Sequence, residues 1–392
     1  MLDFEFYTPT KVFFGKDRQN DVGKIISNYG YKKIMLQYGK GSIKQSGLYD
    51  KIIASLCECN IEVVQMGGVE PNPKIEFIRD AVKVAKETGV ELILAVGGGS
   101  VIDAAKYTAL GAASDYDVWD FVAGKEKPTS ALPVGCVLTI AAAGSEMSWS
   151  AVVTDLSINM KRGLASDLIR PLFAICNPEL TYTVSPYQTA CGITDIMAHT
   201  MERYFTPCEA VDITDQISES ILRSVINAAK VVMENPYDYE ARANIMWASS
   251  LSHNNLTGCG RINSLPVHQL EHAVSGEYDN VAHGAGLAVL FPAWAKYVYK
   301  HNIPRFAKFA RNVWGVNESD DKKAAEAGIL EMRKFFKSIG MPSALNEFGI
   351  NFDAVDKLTD LCTFYNTRTI NSVIKLGYSE IKEIFTECIS QS

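Results

Sequence analysis

The sequence predicts two domains of different class. An α/β domain with a parallel sheet is expected over residues 1–183, and an all-α domain over residues 184–392. Short apolar runs alternate with helix-length segments in the first half, while apolar residues recur every three to four positions in the second. At 392 residues the chain is also long for a single hydrophobic core.

Taken in order, the runs at 33–38 (KIMLQY), 61–66 (IEVVQM), 91–96 (ELILAV) and 134–140 (VGCVLTI) read as strands. Segments 45–58, 74–89 and 101–112 lie between them and read as helices. Strands separated by helices of this length imply crossover connections and a parallel sheet. The stretch 150–176 reads as further strands or a hairpin on the same domain. From SPYQTACGITDIMAHTMERYF onwards helical periodicity takes over, and it persists through YEARANIMWASSLSHNNL, GLAVLFPAWAKYVYKHN and KKAAEAGILEMRKFFKSIG. The boundary falls near Pro178–Pro186.

Bulk properties exclude several classes. The net charge is −7, and no basic stretch is interleaved with aromatics, so a nucleic-acid partner is not expected. No apolar run reaches bilayer length, so no membrane partner is expected either. The N-terminus, MLDFEFYTPTKVFFG, lacks a basic start followed by a long apolar run, and a cytoplasmic protein is expected. Nine scattered cysteines without a C-x-x-C fit free thiols in a reducing compartment.

Three glycine clusters follow strands. Gly97-Gly98-Gly99-Ser100 ends the run at 91–96 and opens the helix that carries Asp103. Glycines there let a phosphate approach the backbone, and a helix N-terminus offers free amides and a positive end. The pattern is neither G-x-G-x-x-G nor a Walker loop, and a tight turn is the competing reading. Gly39-Lys40-Gly41-Ser42 follows the run at 33–38. It contains no carboxylate for a ribose diol, so Lys40 and Ser42 are expected to hold a 2′-phosphate, with a solvated turn as the alternative. Gly144-Ser145 either closes over a cofactor or starts the next element, and Lys161 either neutralises a phosphate or is a solvated surface group.

The second half carries a histidine pattern. Asp195/His199 and His268/His272 are each four residues apart, which places both members of a pair on one helix face. His283 follows in HGAGLA, read as a loop that returns its imidazole to a helix. Asp195, His199, His268 and His283 make one carboxylate and three imidazoles, a set suited to one divalent Zn2+ or Fe2+ ion. His272 is then left one turn away for proton transfer or support. A rival reading takes His268–His272 as H-x-x-E-H, a zinc-peptidase motif in which Glu271 activates water and Glu277 adds a ligand. It leaves Asp195, His199, His283 and the glycine loops without a role.

The combination resembles the iron-containing (group III) alcohol dehydrogenases, particularly their NADPH-dependent butanol dehydrogenase and aldehyde reductase branch. The matching stretches are TKVFFG (11–16), YGKGSIKQSG (38–47), EPNP (70–73), GGGSVIDAAK (97–106), LTIAAAGSEM (138–147), DIMAH (195–199), and HQLEH with AHGAGLA (268–288). The resemblance implies a dehydroquinate synthase-like fold with the active site between a nucleotide-binding and a metal-binding domain. It implies metal ligands at Asp195, His199, His268 and His283. It places the pyrophosphate at Gly97, Gly98, Gly99 and Ser100, and the adenosine side at Gly39, Lys40, Gly41 and Ser42. Asn72, Asp103, Thr139, Ser145 and Lys161 are further cofactor positions, and a homodimer is expected.

The activity expected is NADP(H)-dependent interconversion of an aldehyde and a primary alcohol, such as butanal and butanol. The metal polarises the carbonyl oxygen, and His272 and Asp103 are the candidate catalytic side chains. An NAD-linked diol or polyol dehydrogenase of the same fold, and a lyase resembling dehydroquinate synthase, are the alternatives.

Overall fold

The computed structural model describes residues 1–158, 160–208 and 211–390. The chain divides into two compact units, Tyr7–Val184 and Ser185–Ser392, and Met1–Phe6 groups with the second. Within that second unit the Leu2 amide donates to the Gly260 carbonyl at 2.8 Å.

The first unit holds strands β1 (Lys11–Phe14), β2 (Lys33–Gly39), β3 (Glu62–Val69), β4 (Leu92–Gly97), β5 (Val134–Leu138), β6 (Ser150–Asp155), β7 (Met160–Ala165) and β8 (Phe173–Cys176). Its helices are α1 (Val22–Asn28), α2 (Ser42–Gln45), α3 (Leu48–Glu58), α4 (Ile75–Thr88), α5 (Gly99–Ala112) and α6 (Val118–Val122). Six strands form one sheet in the order β1-β8-β5-β4-β2-β3, and every pairing in it is parallel. Strands β6 and β7 form the expected hairpin as a separate antiparallel pair. Helices cover a parallel sheet on both faces, so its central strands are apolar without alternation; every residue of β4 is buried. Ile34, Leu36, Leu92, Leu94, Val96, Val137 and Phe173 meet the α1 and α3 side chains Val22, Ile26, Ile52 and Leu56 in one core.

The strand order decides where a ligand can sit. From β2 the chain crosses to β3 on one side, then returns to β4 on the other, so the topology reverses between β2 and β4. In open parallel sheets the crevice at the carboxyl ends of such strands is the ligand site. Both principal glycine clusters, 39–42 and 97–100, lie at this edge.

The second unit is helical: α7 (Pro186–Tyr204), α8 (Asp212–Glu234), α9 (Tyr239–His253), α10 (Pro266–Glu277), α11 (His283–Val298), α12 (Ile303–Trp314), α13 (Asp321–Ser338), α14 (Val355–Cys362) and α15 (Tyr378–Ile389). Ser185 caps α7 by accepting from the Gln188 amide, and Pro186 occupies the first turn, where its missing N–H costs nothing. Helix α7 is buried from Thr189 to Tyr204 and packs against α8, α9, α10 and α11. On another side of α8, Asp215 receives Arg305, Arg261 and Lys308, a buried ion cluster tying α8 to α12. All nine cysteines are free thiols, five of them buried. Among the described residues no helix is long and apolar enough to cross a membrane.

Candidate active site: a carboxylate–imidazole cluster and a nucleotide-type sheet edge

Helix α7 presents Asp195 and His199 on one buried face, one turn apart, as their spacing predicts. Helix α10 supplies His268 beside them. The Asp195 Oδ1 atom lies 3.4 Å from His199 Nε2, 3.3 Å from His268 Nε2 and 3.8 Å from His283 Nε2. Two donors held at ~2.1 Å from one ion at the tetrahedral angle are about 3.4 Å apart. Asp195, His199 and His268 are therefore spaced as ligands to one zinc-sized ion would be, while His283 lies further out and groups more closely with Glu271 and His272. Asp195, His199 and His268 are all buried, and His283 is a quarter exposed.

His283 departs from the expectation in one respect. It is not in a loop but is the first residue of α11, preceded by Ala282 in extended conformation. The close approach of α11 to α7 depends on Gly284, where a Cβ would sit 2.2 Å from the Cys191 carbonyl oxygen. The glycines of HGAGLA thus permit helix contact.

Two carboxylates complete this site: Glu202, which the sequence reading did not place here, and Glu271, which it placed only in the peptidase reading. Glu202 on α7 accepts from His268 Nδ1, and also from the backbone amides of Val267 at 2.5 Å and His268 at 3.1 Å. Glu271 on α10 accepts from His283 Nδ1 and from the Ser275 hydroxyl at 3.2 Å. Each is fully buried at the side chain. In the peptidase reading Glu271 would face metal-bound water, whereas here it holds His283, and Glu277 pairs instead with Lys357. The sequence signal was present: H-x-x-E occurs twice, at 268–271, where it was read as part of H-x-x-E-H, and at 199–202, where it was not read.

Electrostatics follow burial and these partners. Burial, reinforced by His253 and His268, holds the His199 imidazole well below its ordinary pKa. Burial also disfavours protonated His268, but Glu202 and then Asp195 outweigh it and raise that group to about 9. The His199 ring lies 4.0 Å, centroid to centroid, from both His253 and His268. His253 is fixed in turn by Arg203, whose guanidinium reaches its Nδ1 at 2.8 Å. His272 is half-buried outside this cluster, its ring 5.8 Å from that of His283.

The α/β unit carries the cofactor candidates. The amides of Val101 and Ile102 turn back to the Gly98 carbonyl, leaving the first-turn amides of Gly99 and Ser100 at the N-terminus of α5. A Cβ on Gly97 would strike Val101 at 2.5 Å, so this strand-to-helix turn requires glycine. Directly after the neighbouring strand β5, Thr139 donates its amide to the Gly97 carbonyl at 3.0 Å. Asp103 is buried, accepting from Ser145 at 2.6 Å and from the Val152 amide at 2.9 Å. Burial raises its carboxyl above the usual range despite Lys106, Ser145 and Val152. Lys161 is also buried and reaches Asn72 Oδ1 at 3.0 Å, with Asn72 held at φ +50°. Asn177, which precedes Pro178, has a structural part: it caps Glu179 and donates to Gln19. The Lys40 ammonium lies 2.6 Å from Glu70, which follows directly on the end of β3.

A parallel sheet with glycine turns at its reversal point, and a helical unit with one carboxylate and three imidazoles converging, define a nucleotide-type, metal-ligating two-unit class. The chain belongs to the iron-containing alcohol dehydrogenase family. The model for iron-containing alcohol dehydrogenases matches residues 9–178, and that for the C-terminal region of Fe-containing alcohol dehydrogenases matches 189–389. The chain is 41% identical to NADH-dependent butanol dehydrogenase A of Clostridium acetobutylicum, over 98% of this chain and 99% of that one. It is 33% identical to the NADPH-dependent aldehyde reductase YqhD of Escherichia coli, over 91% and 92%. The crystal structure of NADH-dependent butanol dehydrogenase A from Thermotoga maritima superposes with a TM-score of 0.96 at 36% identity, covering 100% of this chain and 99% of that one.

The expectation of an NADP(H)-dependent enzyme is corrected by these findings. The relatives of higher identity are named for NADH, and the one named for NADPH stands lower. Lys40, on which that expectation rested, is not an open cation, because Glu70 from the neighbouring strand is paired with it. The loop 39–42 does lack a carboxylate, but the sheet supplies one beside it.

Proposed function

We propose that the protein is a metal-dependent oxidoreductase that interconverts a primary alcohol and its aldehyde with NAD(H). The convergence of Asp195, His199 and His268, with His283 3.8 Å from the Asp195 carboxylate, carries the proposal, since such a donor set has no role in a nucleotide-binding module alone. The NADH-named relatives and the carboxylate beside Lys40 support the choice of cofactor. Butanal is the natural first substrate to test, by analogy with those relatives.

A divalent ion supplies Lewis acidity to the carbonyl oxygen, and the nicotinamide supplies the hydride. One carboxylate and three imidazoles would hold the ion. The first-turn amides at Gly99 and Ser100 receive the pyrophosphate, with Gly97 and Gly98 giving close backbone approach. Gly39, Gly41 and Ser42 line the adenosine side, and Thr139 and the Asn72–Lys161 pair border the cofactor. Asp103 holds Ser145 in place there. His272 passes the proton to or from the alkoxide oxygen, a task suited to an imidazole near neutrality. A cytoplasmic homodimer completes the proposal.

The test is oxidation of NADH and of NADPH with butanal, before chelation, after it, and after zinc or ferrous iron is returned. Activity that vanishes on chelation, returns with metal and favours NADH supports the reading. Metal-independent turnover, or none with either cofactor, removes it.

A further inference from the structure

Glu202 and Glu271 lie outside the proposed ligand set, although Glu271 also sits with His272 and His283 in a group close enough to hold an ion; both are fully buried, and each meets the Nδ1 atom of an imidazole whose Nε2 faces Asp195. A buried carboxylate costs several kcal/mol unless its hydrogen bonds repay that cost, so two of them next to Asp195 need a reason. Their arrangement has a direction. The glutamate of α7 holds the histidine of α10, and the glutamate of α10 holds the first histidine of α11. In each case it lies three residues after a ligand histidine in its own helix, His199 or His268.

We infer that Glu202 and Glu271 are positioning residues that accept from Nδ1 of His268 and His283 and so turn the Nε2 atom of each ring towards the metal. The inference rests on the proposed metal site. Glu202 is the more tightly specified of the two. Its Oε1 accepts from two backbone amides, which can only donate, so its Oε2 is left to accept from His268 Nδ1–H. Outer-sphere carboxylates of this kind set the ring orientation and raise the basicity of the ligating nitrogen. His199 has no such partner: its Nδ1 is buried without one, and its ring is held by stacking between His253 and His268.

Glu202→Gln separates this role from a merely structural one. The amide oxygen must face the Val267 and His268 amides, which turns the NH2 group towards Nδ1. His268 then accepts at Nδ1 and carries its proton on Nε2, where it blocks coordination. The experiment measures zinc affinity by chelator competition for wild type, Glu202→Gln and Glu271→Gln, with NADH affinity and circular dichroism as controls. Zinc affinity should fall about 10- to 100-fold in Glu202→Gln, with NADH affinity unchanged. In zinc-loaded wild type, long-range 15N correlation NMR should show Nδ1–H with a metal-bound Nε2 at both His268 and His283, so a variant that fails to fold does not remove the test. Wild type that binds no zinc overturns the metal site and this inference together. Wild type that binds zinc, with Glu202→Gln binding it equally well or His268 ligating through Nδ1, overturns this inference and leaves the metal site standing.

Discussion

Lys40 and Glu70 come from neighbouring strands and lie 2.6 Å apart at the edge where the sheet topology reverses. Both side chains are largely exposed, so their attraction is screened and small, but its sign matters to a 2′-phosphate. Removing the Glu70 charge releases the lysine and withdraws a repulsion at once. Glu70→Gln should raise the ratio of kcat/KM with NADPH to that with NADH by about fivefold, more at low ionic strength than at high. An unchanged ratio would show that Glu70 plays no part in cofactor choice. This pairing also shows the limit of reading residues from sequence. Asp195 and His199 were legible because they lie one turn apart on a single helix. Glu70 is thirty positions from Lys40 and meets it only through the β2–β3 register, in which Gly39 is paired with Val69. The contacts of Glu202 and Glu271 escaped for the same reason, since each acts on a histidine of another helix.

At the scale of elements, strands β2, β4 and β5 fall within a few residues of their apolar runs, because a strand buried on both faces is written as a continuous apolar stretch. The four-residue β1 is too short and too exposed to announce itself. The spacing singled out His283 as a candidate ligand but not as a helix start, because HGAGLA reads as a turn by composition while tertiary contact uses it as a helix. Helix contact also explains why alanine cannot stand at 284. A Cβ there, 2.2 Å from the Cys191 carbonyl oxygen, would force α11 away from α7 and carry His283 away from Asp195. Gly284→Ala should cost about 1–3 kcal/mol in stability by overpacking and weaken zinc binding as well. Urea midpoints and chelator competition measure the two effects. Destabilisation with zinc affinity intact would mean that the helix contact does not place the ligand.

At the scale of the whole molecule, folding free energy becomes a probe of buried charge. Lys106 has no exposed surface, and its ammonium donates to the Ser148 carbonyl at 3.0 Å, the Ser148 hydroxyl at 3.1 Å and the Ser150 carbonyl at 2.8 Å. Burial lowers its pKa from 10.5 to about 8, with Asp103 pulling partly the other way. The folded protein therefore releases this proton before the unfolded chain does. Between about pH 8 and 10.5 the unfolded state binds more protons, so the Lys106 contribution to stability rises with pH, by up to about 1.4 kcal/mol per unit. Below pH 8 both states are protonated, and the cost of burying the charge stays constant. Buried thiols oppose the trend at higher pH: burial raises Cys136, Cys176 and Cys362 above their ordinary 9.0, so the unfolded chain ionises first and stability falls. The lysine is consequently visible only as a difference, best taken between pH 8 and 9. The unfolding free energy of wild type minus that of Lys106→Met, from urea titrations, should grow by about 1 kcal/mol over that interval. A flat or falling difference would mean that Lys106 keeps its proton in the folded protein, with three oxygen acceptors outweighing the loss of water.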